Sequence, residues 1–93
     1  MILELMTAEF RLEGCYSLKD KRKRLSGLRH RFGNATNIAV CESDYHDVHD
    51  RSEWTFVVVG NSQAVVEKTF AVIEDRLVNS VDAMLLGIER EAL

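Results

Sequence analysis

Glu53-Trp54-Thr55-Phe56-Val57-Val58-Val59-Gly60 is the stretch on which the fold turns. Six of its eight residues are β-branched or aromatic, and such side chains pack well on a pleated surface. Trp54, Phe56 and Val58 project to one side, Val57 and Val59 to the other. A strand that is apolar on both faces expects cover on both. Gly60-Asn61-Ser62 then turns the chain into a helix over about 62–78. Its Val66, Phe70, Ile73 and Leu77 recur at spacings of four, three and four, which makes one apolar stripe.

Upstream, Asp44–Ser52 reads as a polar connection and Asn37–Ser43 as a further strand. Ser17-Leu18-Lys19-Asp20 has the chemistry of a helix start. The Ser17 hydroxyl can accept from the Asp20 N–H, and a carboxylate suits the helix N-terminus. This helix runs to about Arg31-Phe32, where Gly33-Asn34 stops it, and Leu18, Leu25, Leu28 and Phe32 form its apolar stripe. Residues 2–12 alternate as a strand, with Met6, Ala8, Phe10 and Leu12 on one face. Residues 81–91 form a last, less regular strand in which Met84, Leu86 and Ile88 alternate.

The order is therefore β-α-β-β-α-β, the split-βαβ or ferredoxin-like arrangement. Right-handed crossovers place both helices on one face of a four-stranded antiparallel sheet, an α+β sandwich. The first and third strands are central and the other two are edges. Residues 1–93 are expected to form one ferredoxin-like domain. No helix remains for the second sheet face, where Leu3, Leu5, Val57 and Val59 project. These four are the candidate interface, for a homodimer or for docking a protein partner.

The 93 residues are 46% apolar and 29% charged, too apolar for disorder and too interrupted by charge for a membrane span. Met1-Ile2-Leu3-Glu4 has no basic region, and Glu4 and Glu9 interrupt any signal-peptide core. Cys15 and Cys41 make no disulfide framework, and a reduced pair fits a cytoplasmic protein. The net charge is −3, but residues 11–31 carry eight Lys/Arg against two acids, whereas residues 32–93 carry four against eleven. One basic segment thus sits on an acidic body.

On a helical projection Lys19, Lys23 and His30 lie opposite the apolar stripe. Arg24 and Arg31 flank one side, and Arg22 and Arg29 the other. Lys19, Lys21, Arg22, Lys23, Arg24, Arg29 and Arg31 are the candidate contacts to nucleic-acid phosphates. Lys21 projects into the stripe itself, so its stem must cross the core and its ammonium must reach the rim or a carboxylate. The 44–50 segment offers His46, Asp47 and His49 as a weak metal-ligand pattern, and it can alternatively pair with the basic helix. Neither a phosphate-cradling glycine loop nor a nucleophile elbow is present, so no enzymatic activity, catalytic residue, cofactor or resident metal is expected.

Ser17-Leu18-Lys19-Asp20-Lys21-Arg22, placed just after a first strand, resembles the signature of the YlxP-like family, domain of unknown function 503 (DUF503). The similarity extends over nearly the whole chain. Members typically carry Gln-Asp-x-Trp-Gln-Arg before the third strand, and His46-Asp47-Val48-His49-Asp50-Arg51 matches that pattern at Asp47 and Arg51, the candidate loop motif. The resemblance implies a bacterial cytosolic protein with a ferredoxin-like fold and no assigned reaction. Its relatives' genes often stand beside those for initiation factor 2 and ribosome-binding factor A. That setting implies a role at ribosomal RNA or the ribosome.

Overall fold

A computed structural model describes residues 1–93. In it β1 spans Ile2–Arg11, α1 Leu18–Phe32, β2 Ile38–Asp44, β3 Arg51–Gly60, α2 Gln63–Asn79 and β4 Met84–Ala92. The strands form one antiparallel sheet in the order β2-β3-β1-β4. This is the ferredoxin-like α+β sandwich, with β1 and β3 at its centre.

The β1–β3 ladder sorts the side chains. Met6 pairs with Phe56, Ala8 with Trp54 and Phe10 with Ser52, and all six are buried beneath the helices. Leu3 pairs with Val59 and Leu5 with Val57 on the reverse face, where all four are half-buried. From α2, Val66, Phe70, Ile73 and Leu77 enter the core together, as their spacing requires. Phe32 of α1 meets Phe56 edge-on, with ring centroids 5.6 Å apart. Each large side chain buried in this way contributes roughly 1.5–3 kcal/mol.

Both helices begin where a hydroxyl can cap them. Ser17 Oγ accepts from the Asp20 N–H at 3.1 Å, and Ser62 Oγ accepts from the Val65 N–H at 3.3 Å. Gly14, at φ +69°, supplies the left-handed residue that turns β1 toward α1.

Three details depart from the sequence reading. β3 starts at Arg51, so that residue belongs to a strand and not to the connection. The α1 stripe comprises Lys21, Leu25, Leu28 and Phe32, with the lysine buried and Leu18 only half-buried. In β4 the expected alternation of Met84, Leu86 and Ile88 is broken. Glu9 pairs with Gly87 and Phe10 with Leu85, which leaves Leu86 as the extra residue of a bulge. Leu85 and Ile88 consequently pack on the core, whereas Met84 and Leu86 are exposed.

The uncovered sheet face carries Leu3, Leu5, Val57 and Val59 at its middle, extended by Ala39 and Cys41 of β2. Glu9, Glu53, Glu89 and Glu91 stand around them, by register, on the same face. No helix of the chain is long and apolar enough to cross a membrane.

Candidate nucleic-acid interface

The cations of α1 fall into two groups. Lys21 is 3% exposed. Its Nζ donates to the carbonyl oxygens of Tyr45, Val48 and Arg51 at 2.7, 2.8 and 3.1 Å, and lies 3.0 Å from Glu42 Oε2. Glu42 in turn accepts from the buried Ser52 hydroxyl. An ammonium so enclosed has no hydrogen left for an external phosphate, so Lys21 is removed from the predicted contact surface. Arg24 is likewise engaged: it pairs with Asp20 at 3.2 Å and Asp82 at 3.8 Å and donates to the Glu13 carbonyl at 2.7 Å. It fastens the β1–α1 and α2–β4 connections to the helix.

Lys19, Arg22, Lys23, Arg29 and Arg31 form the second group. All five are exposed and none is in an ion pair. The Arg29 guanidinium lies 5.8 Å from the ring centre of Trp54. Arg31 shares the α1–α2 groove with Arg24 and with Arg76 of α2. Sequence spacing within α1 could not reveal Arg76, because its neighbourhood is set by how the two helices pack.

A cavity of about 290 Å³ opens beside this face, between α1 and the sheet. Arg22, Ser26, Arg29 and His30 line it from the helix, Glu42 and Trp54 from β2 and β3, with Leu25 between. The Trp54 indole N–H is buried and has no acceptor. An unmade bond on a buried donor costs roughly 1–3 kcal/mol. In the sequence Trp54 reads as an apolar residue of the third strand, and Glu42 is not singled out there. Only the pairing of Glu42 with Trp54 across β2 and β3 places them together at the edge of α1.

The 44–50 segment joins α1 through its backbone, since the Tyr45 and Val48 carbonyls accept from Lys21, but its carboxylates form no ion pair with the exposed cations. Tyr45 takes the left-handed conformation at φ 65°, its N–H bonded to Asp44 Oδ1 at 2.7 Å. Its ring lies 5.2 Å from the Arg51 guanidinium, which is bonded to Glu9. The Glu9 charge raises the Tyr45 phenol above its ordinary range, and the same carboxylate raises Arg51. Asp47 is exposed and in no ion pair, so the loop motif's two matching residues are not brought together. His46 and His49 donate to separate carbonyls, of Glu42 and Cys15, at 2.9 and 2.7 Å. No three His, Cys, Asp or Glu side chains converge as a metal-binding group.

Fold and surface together define a small ferredoxin-like domain with a cationic helical face on one side and a bare sheet on the other. The chain belongs to the family described as protein of unknown function (DUF503), whose model matches residues 3–90. No curated protein matches it. Among solved structures it is similar to Arabidopsis thaliana At3g17210, at 12% identity and TM-score 0.49, covering 100% of this chain and 93% of that one. It is also similar to a Bacillus cereus protein described as a candidate antibiotic biosynthesis monooxygenase, at 15% identity and TM-score 0.37, covering 100% and 92%. Likeness at this level transfers no activity.

Proposed function

We propose that this protein is a non-enzymatic accessory factor of the cytoplasm that contacts ribosomal or precursor RNA through α1. The observation that carries the reading is the group of five exposed, unpaired cations, Lys19, Arg22, Lys23, Arg29 and Arg31, on a chain of net charge −3. Cations without internal partners are available to displace counterions from a phosphate backbone. The acidic remainder of the chain orients that face toward a polyanion by repelling it elsewhere. The translation-gene setting implied by the family resemblance points to ribosomal RNA among polyanions.

The test is sedimentation of the tagged protein through gradients of cell lysate at about 50 and about 300 mM salt. Five phosphate contacts should weaken association by roughly 10³-fold over that range. Co-migration with a ribosomal subunit at low salt only is expected. The double substitution Lys19→Glu/Lys23→Glu should abolish it and leave the unfolding midpoint unchanged. Co-migration that survives this reversal, or no co-migration at either salt, removes the reading.

A second reading has its own observation. Leu3–Val59 and Leu5–Val57 are adjacent cross-strand pairs on a face that no helix covers. They suit self-association or the docking of a protein partner through the sheet.

A further inference from the structure

We infer that the cavity between α1 and the sheet is a binding site for a phosphate-bearing group the size of one nucleotide. This goes beyond the surface contacts proposed for α1, because it needs a recess and a floor and not only exposed charge.

Its volume, about 290 Å³, is at the small end of ligand pockets, room for one compact molecule and not for a strand. Its helical wall is rich in donors: Arg22, Arg29 and His30 line it beside Lys21, Ser26 and Leu25, and the helix contributes no carboxylate. Arg22 and Arg29 stand two turns apart on one side of the helix, and neither is in an ion pair. Two guanidiniums on one wall suit the oxygens of a phosphate, which each can bind in bidentate fashion.

The sheet side of the cavity adds the second half of the recognition. Trp54 brings the one buried side-chain donor, besides Arg51 Nε, that lacks an acceptor within the protein. The Arg29 guanidinium covers its ring, so an anion that draws Arg29 toward itself uncovers the indole. Glu42 receives both Lys21 and Ser52 through Oε2, so Oε1 takes neither and remains an acceptor at the cavity edge. A ligand that answers these groups has an anionic end, a flat apolar body to lie on Leu25 and Trp54, and both donor and acceptor atoms on that body. A nucleoside monophosphate has all four properties. It can arrive free or as the phosphorylated end of a nucleic-acid chain.

Trp54 is the only tryptophan, so its indole N–H gives a single resonance that reports on the site directly. The experiment follows that resonance in ¹⁵N-labelled protein during separate titrations. The probes are adenosine 5′-monophosphate, adenosine, inorganic phosphate, and a short RNA with and without a 5′-phosphate. The expected result is a saturable shift with the monophosphate, smaller with inorganic phosphate and absent with adenosine. Arg29→Ala, a change at an exposed residue, should raise the dissociation constant by about tenfold or more, while the lost contact with the Trp54 ring lowers the unfolding midpoint only slightly. A shift with the monophosphate but not with 5′-phosphorylated RNA identifies a free nucleotide as the ligand, and a shift with both identifies a strand end. An indole resonance that stays fixed at millimolar concentrations of every probe overturns the inference. If lysate sedimentation is nonetheless positive in that case, the surface reading of α1 stands alone. If the indole responds but the protein never sediments with RNA, the surface reading falls and the cavity site stands.

Discussion

The Lys21 ammonium lies 3.0 Å from Glu42 Oε2, and each of these residues occupies a place that apolar side chains fill elsewhere in the fold. Lys21 starts the stripe Lys21-Leu25-Leu28-Phe32, the counterpart of Val66-Phe70-Ile73-Leu77 in α2. Glu42 follows Ile38 and Val40 on the inward row of β2. A buried cation and a half-buried carboxylate that interrupt two separate apolar patterns are each other's partner. The three carbonyls around Lys21 then bind the β2–β3 connection to α1.

Removing Lys21 leaves the half-buried Glu42 carboxylate with only the Ser52 hydroxyl and leaves three carbonyls without their donor. Lys21→Met is expected to cost about 3–5 kcal/mol in urea unfolding. Amide exchange in residues 45–50 should accelerate, because the Tyr45 and Val48 carbonyls lose their donor. Adding Glu42→Leu should recover part of the loss. A Lys21→Met protein within about 0.5 kcal/mol of the parent would show that the ion pair is not structural.

At the opposite end of the sheet, Arg90 bonds Glu67 at 2.7 and 2.9 Å and Glu4 at 2.6 Å, and its guanidinium lies 4.2 Å from the Phe70 ring centre. The hydrogen bonds from Arg90, and then from Gln63, hold the Glu67 carboxyl down to about 2 from an ordinary 4.5. Those from Gln63 and Arg90 lower Glu4 as well. A carboxyl depressed in the folded state stabilises it fully above its unfolded pKa, and that contribution disappears as pH falls through the folded value. Thermal midpoints should therefore decline between about pH 5 and pH 2. Arg90→Ala should flatten this decline while lowering the midpoint at neutral pH. An unchanged slope in the variant would exclude Arg90 as the source.

The two cysteines report on the bare sheet face. Burial pushes the Cys15 thiol up from its ordinary value, and the residue is enclosed, so it should react with a thiol reagent only on unfolding. Cys41 is exposed and pairs with Thr55 beside Val57. If two chains associate through this face, Cys41 labelling should slow as concentration rises to high micromolar, and light scattering should give twice the chain mass. Val57→Lys should restore fast labelling and the single-chain mass. Concentration-independent labelling of a monomeric parent protein would retire the sheet face as an interface.

The order of elements, the central strands and the first helix cap were legible because each rests on local chemistry: Ser17 at a helix start, period two in β1, the four-three-four stripe in α2. The Met84-Leu86-Ile88 alternation misled, because a bulge opposite Glu9 and Phe10 is a property of two strands together and leaves no mark on one. Among the cations, Asp20 four residues before Arg24 was a local clue that sets it apart from Lys23, but the second partner was not visible in the spacing. Arg24 is engaged further by Asp82, far along the chain, which comes within 3.8 Å of it, and by the Glu13 carbonyl. Lys21 was visible as an anomaly, and the inward position of Glu42 was the available clue to its partner. The cavity was not legible, since Trp54 resembles any core aromatic until the register of β2 against β3 fixes what stands beside it.

Because both helices occupy one side of the sheet, the cationic surface and the apolar surface face in opposite directions, and filling one leaves the other open. Two chains joined back to back would carry their α1 helices on opposite outer sides, as a bivalent body. Such a body cannot lay both helices on one short strand, but it can bridge two phosphate tracts of a folded RNA. Avidity of that kind commonly exceeds the single-site affinity by about 10²–10⁴-fold. The protein would then discriminate among RNAs by how far apart they hold two helices, a selectivity of spacing that requires no base to be read.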